Sequence, residues 1–565
     1  MHIDRLTGTT TRVLMSARAV SRQWRASVVS FVVFCLVSCA GLVSQPASAS
    51  ATIDQAPPAW FNQGRPLPAA QQAVEALTRA QRDGLDPADY GAGALQRSVV
   101  LALLEPLDDA ASTRIGSALT QAMLRYARDL KHGRIDPREV HSDFAPIERP
   151  PFDTTGWLRN AVDTGRLPQA IDALTPRNPL YGRLRQSLAD YRALLAGAPE
   201  HPAWKARLAP VDGRVGPGDN WPGLDVLVRR LLALGDLPAS VPVPGPGFLT
   251  ERGSNHGPAT RYTGAIVDAV KAFQRRHGLQ ADGIIGKATW AQLQISPTAR
   301  IRQLELTLER LRWTPLEQGR RMIVINVPEF VLRAYDVGAS GFALRAQMKV
   351  IVGQSLDKRT PLFDEDMRSI EFSPYWNIPW SIARDETVPR LKRDPGYLAR
   401  EGLEFVMANG KVDTSVSAAH LAAVLAGQAR IRQRPGPKNA LGDIKFVFPN
   451  ADNIYLHHTP STRLFTRERR DFSHGCIRVE NPVELARFVL AEMPDWTVER
   501  ILEAMENGYP STVRLTERVP VLIAYATALV IDGELRFFDD IYGQDRELDA
   551  ALRKVSRQRQ EKPDA

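Results

Sequence analysis

Cysteine is the scarcest residue in this chain. Its 565 residues hold three, Cys35, Cys39 and Cys476. A disulfide-stapled fold is excluded, and a chain of this length can bury an ample apolar core without one. Long apolar runs are almost as scarce. Only residues 26–43, ASVVSFVVFCLVSCAGLV, are long and uncharged enough to span a bilayer, so a polytopic membrane protein is excluded. Concentrated charge of one sign is missing too. The net charge is +9, but Arg5, Arg12, Arg18, Arg22 and Arg25 face only Asp4 in the first 28 residues. What remains is too dilute for a nucleic-acid face. It suits a protein working near an acidic polymer. Cys and His at the spacing of a closed metal site are also lacking. The rest is ordinary: 44% hydrophobic and 24% charged residues exclude wholesale disorder. The length predicts roughly three to four domains.

The basic start, the apolar run and the small-residue stretch PASASA at 46–51 follow the order of a secretory signal. Three outcomes stay open for residues 1–51: cleavage after Ala49 or Ala51, lipidation of Cys39 within Leu36-Val37-Ser38-Cys39, or retention as an N-terminal anchor. Each puts the body of the protein outside the cytoplasm. Beyond residue 51 a single thiol remains, Cys476. An oxidising compartment favours paired cysteines or none, which marks this one as a reactive candidate.

Residues 52–66 are Pro-rich and read as a linker. Over 52–212 the three- and four-residue apolar spacing of QQAVEALTRAQRDGL and ALTQAMLRYARDLKHG predicts a helical scaffold. His132 and His141 are isolated within it and read as structural. Residues 213–297 form a small unit of three predicted helices. The third follows the turn Asp282-Gly283-Ile284-Ile285-Gly286. The stretch AVKAFQRRHGLQADGIIGKATWAQL, 269–293, resembles the peptidoglycan-binding domain family. An amphipathic linker helix is expected at 298–320, ended by Thr314-Pro315. From 321 the period changes to alternation in RMIVINVPEFVLRAYD, which predicts a β-rich domain over 321–516. A helical pattern returns within it at about 376–430 and reads as an inserted lid. Residues 517–565 read as a strand pair followed by a frayed, charged tail.

The chemistry is concentrated in IYLHHTPSTRLFTRERRDFSHGCIRVENP, 454–482. A cysteine nucleophile acts as the thiolate and needs a base or a cation beside it. His457, His458 and His474 are candidates for the base. In a strand His457 and His458 point to opposite faces, so only one of them can look into a given site. Ser473-His474-Gly475-Cys476 reads as a tight turn whose backbone N–H groups can form an oxyanion hole. Arg478 adds positive charge.

This stretch resembles the catalytic motif of the L,D-transpeptidases, the YkuD-type cysteine enzymes of the cell wall. The matching elements are His457-His458-Thr459 and Ser473-His474-Gly475-Cys476-Ile477-Arg478. With the scaffold and wall-binding regions, the chain resembles the large multidomain Gram-negative members. Many of those carry Asp where this chain has His458. The resemblance implies a multidomain α+β chain with a β-sandwich-like catalytic domain and a helical lid. It implies Cys476 as nucleophile, His457 as general base with His474 second, and Ser473, Gly475 and Arg478 as support. Tyr375, Trp376 and Asn377 are expected along the donor groove. The implied reaction releases D-alanine from a tetrapeptide stem, forms a thioester, and passes the acyl group to a second stem as a 3-3 cross-link. Water or a lipoprotein lysine are the alternative acceptors, cleavage of such a lipoprotein anchor is a further alternative, and a non-catalytic wall-binding protein is the last. No metal or organic cofactor is implied. Carbapenems are implied to acylate the thiol. The implied partners are peptidoglycan and other wall-synthesis enzymes in the periplasm, with a membrane tether if the leader is retained.

Overall fold

Helix α1, Pro68–Thr78, follows a short hairpin of β1, Phe61–Asn62, and β2, Arg65–Pro66. The computed structural model describes residues 57–561, except 142–143, 145–150, 199, 241–260, 314–318, 339–340 and 356–357. The leader with Cys35 and Cys39, the Pro/Gly loop at 241–247 and Thr314-Pro315 lie outside the described residues. The linker expected over 52–66 is structured from residue 57. Trp60 is buried there and its indole N–H donates to Thr120 Oγ1 at 2.7 Å.

Helices α2, Ala92–Leu104, α3, Asp109–His132, α4, Thr154–Asp163, and α5, Leu167–Asp172, complete the first helical region. Local chemistry sets their ends. Asp108 caps α3 by accepting from the Ala111 N–H, and Gly133 with φ +88° closes it. Helix α6, Pro179–Leu195, and the single turn α7, Pro202–Lys205, lead to the three-helix unit. That unit is α8, Leu224–Ala233, α9, Ala265–Arg276, and α10, Lys287–Gln294. Its signature residues serve folding. Gln274 is buried, accepts from the Gly283 N–H at 2.8 Å and donates to Ile284 O at 2.9 Å. The Phe-Gln and Asp-Gly elements of the motif are thus two halves of one clamp.

Helix α11, Pro297–Trp313, is no linker. Arg300, Glu309, Arg310 and Arg312 are buried on it along with its leucines. Arg312 pairs with Glu309 at 2.8 Å, contacts the Tyr181 hydroxyl at 3.0 Å and donates to Asp83 O. Arg310 pairs with Asp545. The sequence pattern predicts an amphipathic linker, with one apolar face and its charges on the other. Apart from the i,i+3 pair of Glu309 with Arg312, these partners come from segments more than 130 residues away, so sequence spacing does not reveal them.

The catalytic region is one sheet. Its strands are β3, Arg321–Asn326, β4, Val331–Gly338, β5, Gly341–Gly353, and β6, Phe363–Phe372. They continue with β11, Ile444–Val447, β12, Leu456–His457, β13, Asp471–Ser473, β14, Ile477–Val479, and β15, Ser511–Ala524. The order is β13-β5-β14-β12-β11-β6-β15-β3-β4, and β4 also pairs with β5. The sheet therefore closes on itself. The sandwich-like expectation is made more specific by this closure: the 13-residue β5 pairs with β4 over Gly341–Lys349 and with β14 at Val350 and Ile351. Closure removes the open edges. Helices α16, Pro482–Val489, and α17, Val498–Glu506, pack on its core.

The insertion differs from the purely helical expectation. It holds α12, Trp380–Ile382, a π-helical turn at Ala383–Thr387, α13, Val388–Arg393, α14, Tyr397–Arg400, and α15, Ala418–Leu425. It also carries a four-stranded sheet of β7, Trp376–Asn377, β8, Leu403–Met407, β9, Val412–Asp413, and β10, Ala429–Gln433, in the order β7-β10-β8-β9. It has its own apolar core around Phe405, Leu391 and Ile431. The C-terminus is corrected likewise. After the hairpin of β16, Ala528–Ile531, and β17, Glu534–Phe537, residues Gln544–Glu561 form helix α18. It is no frayed tail, since Leu548 and Leu552 are buried and Arg559 pairs with Asp129.

Candidate active site

Strands β12 and β14 lie side by side and parallel, with Leu456 opposite Ile477 and His457 opposite Arg478. Leu456, Ile477 and Val479 are fully buried in the barrel core. Alternation then sends Tyr455, His457, Cys476 and Arg478 to the other face. Lys445 on β11 stands opposite His457, and Glu371 on β6 opposite Lys445. A row of polar groups thus crosses the outer face of the barrel and ends at the thiol. A cleft of about 630 Å³ opens over it, lined by Lys358, Tyr375, Asn377, Tyr455, His474 and Cys476 among others.

The turn carrying Cys476 is held from three sides. Ser473 Oγ accepts from the Gly475 N–H at 3.2 Å and donates to Cys476 O at 2.5 Å. Gly475 has φ +119°, and a Cβ there would meet Ile454 Cδ1 at 3.2 Å. Thr360 Oγ1 donates to Gly475 O at 2.7 Å and accepts from the Gly353 N–H at 2.9 Å. Tyr542 donates to Gly353 O at 2.7 Å, so the segment before α18 reaches the catalytic turn through Thr360. Thr360 and Tyr542 were missed from sequence, because they are 116 and 66 residues from the cysteine and carry no motif of their own.

The two leading histidines occupy different environments. His457 is buried, and its Nδ1 lies 2.5 Å from its neighbour's carbonyl, His458 O. A carbonyl only accepts, so Nδ1 carries the proton and Nε2 keeps its lone pair. Burial and then the Arg478 charge hold this imidazole down to about 3. It is a neutral base at physiological pH. His458 faces away and its Nδ1 lies 3.1 Å from Asp443 Oδ2, a structural pairing. His474 lines the cleft and bonds Glu386 of the π-helical turn at 2.6 Å. Lys358 reaches the same carboxylate at 3.0 Å. Burial alone would raise Glu386, but His474 and Lys358 hold it below the usual carboxylate range. Glu386 therefore ties the insertion to both walls of the cleft.

Burial pushes the Cys476 thiol up, and the Tyr455 N–H and hydroxyl, Lys445 and Arg478 offset this only in part. At rest Cys476 is a thiol that donates to Asn453 O at 3.8 Å, and His457 is a neutral imidazole on the same face of the neighbouring strand. Tyr455 stacks edge-on to His457 with ring centres 5.7 Å apart, and the Lys445 ammonium sits 4.5 Å from its ring centre. Tyr455 was missed, although its period-2 spacing to His457 was a usable signal. Of the expected groove aromatics, Tyr375 lines the cleft with Asn377. Trp376 packs against the insertion's core, and its indole also bonds the Tyr455 hydroxyl.

Known families match along most of the chain. Residues 320–520 match the L,D-transpeptidase catalytic domain, 54–188 the scaffold domain, and 247–293 the family described as "Putative peptidoglycan binding domain". A Haemophilus influenzae protein named "Putative L,D-transpeptidase" is 31% identical over 249 residues, which are 44% of this chain and 49% of that protein. The chain thus spans about half the length of that relative. "Epoxide hydrolase 1" of Sus scrofa is 24% identical over 102 residues, 18% of this chain and 22% of that protein. A solved Bdellovibrio bacteriovorus structure shares 12% identity, covers 43% of this chain and 57% of its own, and has a TM-score of 0.15, too low to carry any argument. On its matched regions this chain carries a YkuD-type L,D-transpeptidase catalytic domain, joined to a scaffold domain and a peptidoglycan-binding domain.

Proposed function

We propose that this protein joins two peptidoglycan stems by a 3-3 cross-link through a thioester on Cys476. The observation that carries this is the shared face of β12 and β14, which puts Cys476 in the cleft wall and the neutral, tautomer-fixed His457 on the adjacent strand of the same face, one register position on, opposite Arg478. His457 Nε2 takes the thiol proton as sulfur attacks the carbonyl of the diaminopimelate L-centre. The S–C bond forms, and the tetrahedral oxyanion is met by backbone N–H groups of the Ser473–Cys476 turn and by the Tyr455 hydroxyl. His457 returns the proton to the departing D-alanine amine. The side-chain amine of a second stem then attacks the thioester, and its proton passes to the thiolate through His457.

His474 acts through Glu386, holding the insertion over the cleft, rather than as the base. The closed insertion excludes water and favours an amine acceptor over hydrolysis. The peptidoglycan-binding region raises the local concentration of stems. The same reading puts the chain in the periplasm, held there by its leader or released from it, and makes the thiol a target for carbapenems.

Incubating the chain with disaccharide-tetrapeptide and reading products by mass spectrometry tests this. A cross-linked dimer that has lost one D-alanine, absent with Cys476→Ala, is expected. Tripeptide alone would replace the transfer reaction by a carboxypeptidase. Neither product from folded protein with a free thiol would leave a non-catalytic wall-binding role.

A further inference from the structure

We infer that an arginine-lined cleft remote in sequence from the catalytic motif is a second site for the carboxylates of a peptide stem. It rests on the wall-polymer reading above. The cleft has a volume of about 560 Å³ and lies where the turn after α1 meets α6, α11 and α18. That volume falls within the usual range of small-ligand sites. Arg134, Arg192, Arg302, Arg553 and Arg557 line it against Asp86 and Glu305.

Several of these guanidiniums are already oriented from behind. Arg134 pairs with Asp89 at 2.5 Å and donates to Ser556 at 2.6 Å. Arg192 pairs with Glu305 at 2.6 Å, and Arg302 with Asp549 at 2.7 Å. These carboxylates cancel part of the charge, but each guanidinium has five N–H donors and its partner engages only some of them. Arg134 shows this directly. Its side chain is 4% exposed, yet its Nε has no hydrogen-bond partner. A buried N–H without a partner is costly unless a ligand supplies one. Arg557 makes no ion pair among the described residues. Planar, pre-positioned guanidiniums suit carboxylates, which they can bind through paired hydrogen bonds. A stem bears carboxylates at its terminus and on its side chains. The cleft would hold one stem while another occupies Cys476, which keeps the polymer engaged between transfers.

The test uses the full chain with Cys476→Ala, so that nothing turns over. Amide hydrogen exchange is followed as disaccharide-tetrapeptide is added, and separately as inorganic tripolyphosphate is added. Protection is expected at 81–87 and 550–558 with the tetrapeptide, weakening with salt. It should require about tenfold more ligand, or vanish, in Arg553→Glu/Arg557→Glu. Both side chains are exposed, and an unchanged melting temperature would show that the fold is kept. No protection there while the catalytic cleft is saturated, or equal protection in the variant, overturns the inference. Protection by tripolyphosphate alone overturns the stem as ligand. Cross-linking by the unmodified chain is read separately. Cross-linking without protection at α18 removes this site and keeps the transferase, while protection without cross-linking does the reverse.

Discussion

The catalytic barrel and helix α11 bury their side chains by opposite chemistry. The barrel core is almost wholly apolar, from Ile323 and Ile325 on β3 to Val521 and Ile523 on β15. Such burial is non-directional, and many sequences of the right pattern would achieve it. Helix α11 instead buries Arg300, Glu309, Arg310 and Arg312, with Arg300 donating to Gln292, Arg312 paired with Glu309 and Arg310 paired with Asp545. Buried ion pairs add little net stability over apolar packing, but leaving one partner alone is expensive. The barrel therefore tolerates change and presents a rigid floor for chemistry. The hub tolerates little, and it fixes how the N-terminal helices, α6, α18 and the hairpin β16–β17 meet.

The sharpest way to separate the two is to damage one of each. His457→Ala should lower the rate of Cys476 acylation about a thousandfold. The melting temperature at pH 7.5 should change little, since the side chain leaves a polar face rather than the barrel core. Stopped-flow acylation by a carbapenem together with thermal unfolding would check both halves. A rate unchanged from wild type would remove His457 as base.

Arg312→Ala should do the reverse. It strands Glu309 in the hub and should cost about 3–5 kcal/mol in denaturant unfolding. The surviving folded fraction should acylate at the normal rate. Arg312→Met with Glu309→Leu should recover most of the loss, because the stranded charge goes too. Failure of the pair to recover would mean that the hub works through its hydrogen bonds to Asp83 and Tyr181 rather than through charge.

A smaller effect compares the two regions by pH. Each holds a buried, neutral histidine: His457 beneath the cleft, held to about 3, and His141 beside Trp313, held by burial and then by Arg310 to about 4. Below about 6.5 the unfolded chain binds protons that these folded imidazoles refuse. Stability therefore falls as pH drops from about 6.5 toward 4, by about 1.4 kcal/mol per pH unit for each histidine. Above 6.5 neither contributes. Urea unfolding between pH 7.5 and 5 should show the slope, and His141→Gln should remove one share of it.

Much of the site was legible because its chemistry is local in sequence. Ser473, His474, Gly475 and Cys476 form one turn, and His457 lies on the strand beside it. Strand alternation alone separates His457 from His458. Thr360, Tyr542 and Glu386 were not legible, since each reaches the cleft from a different segment and has no periodic neighbour to announce it. The insertion's sheet was hidden because β7 and β9 are two residues long, too short to show a period.

The sequence by itself determined the long periodic helices and strands, the opposite orientations of His457 and His458, and the short turn that holds Ser473, His474, Gly475 and Cys476. Periodicity, capping and nucleophile motifs are short-range, and a chain read residue by residue displays them. Only the tertiary structure decided that the sheet closes, that α11 is a hub and α18 a packed helix, and which histidine has its proton fixed. Those outcomes depend on pairings across a hundred residues or more, where burial and a distant partner's charge override what each local stretch would do alone.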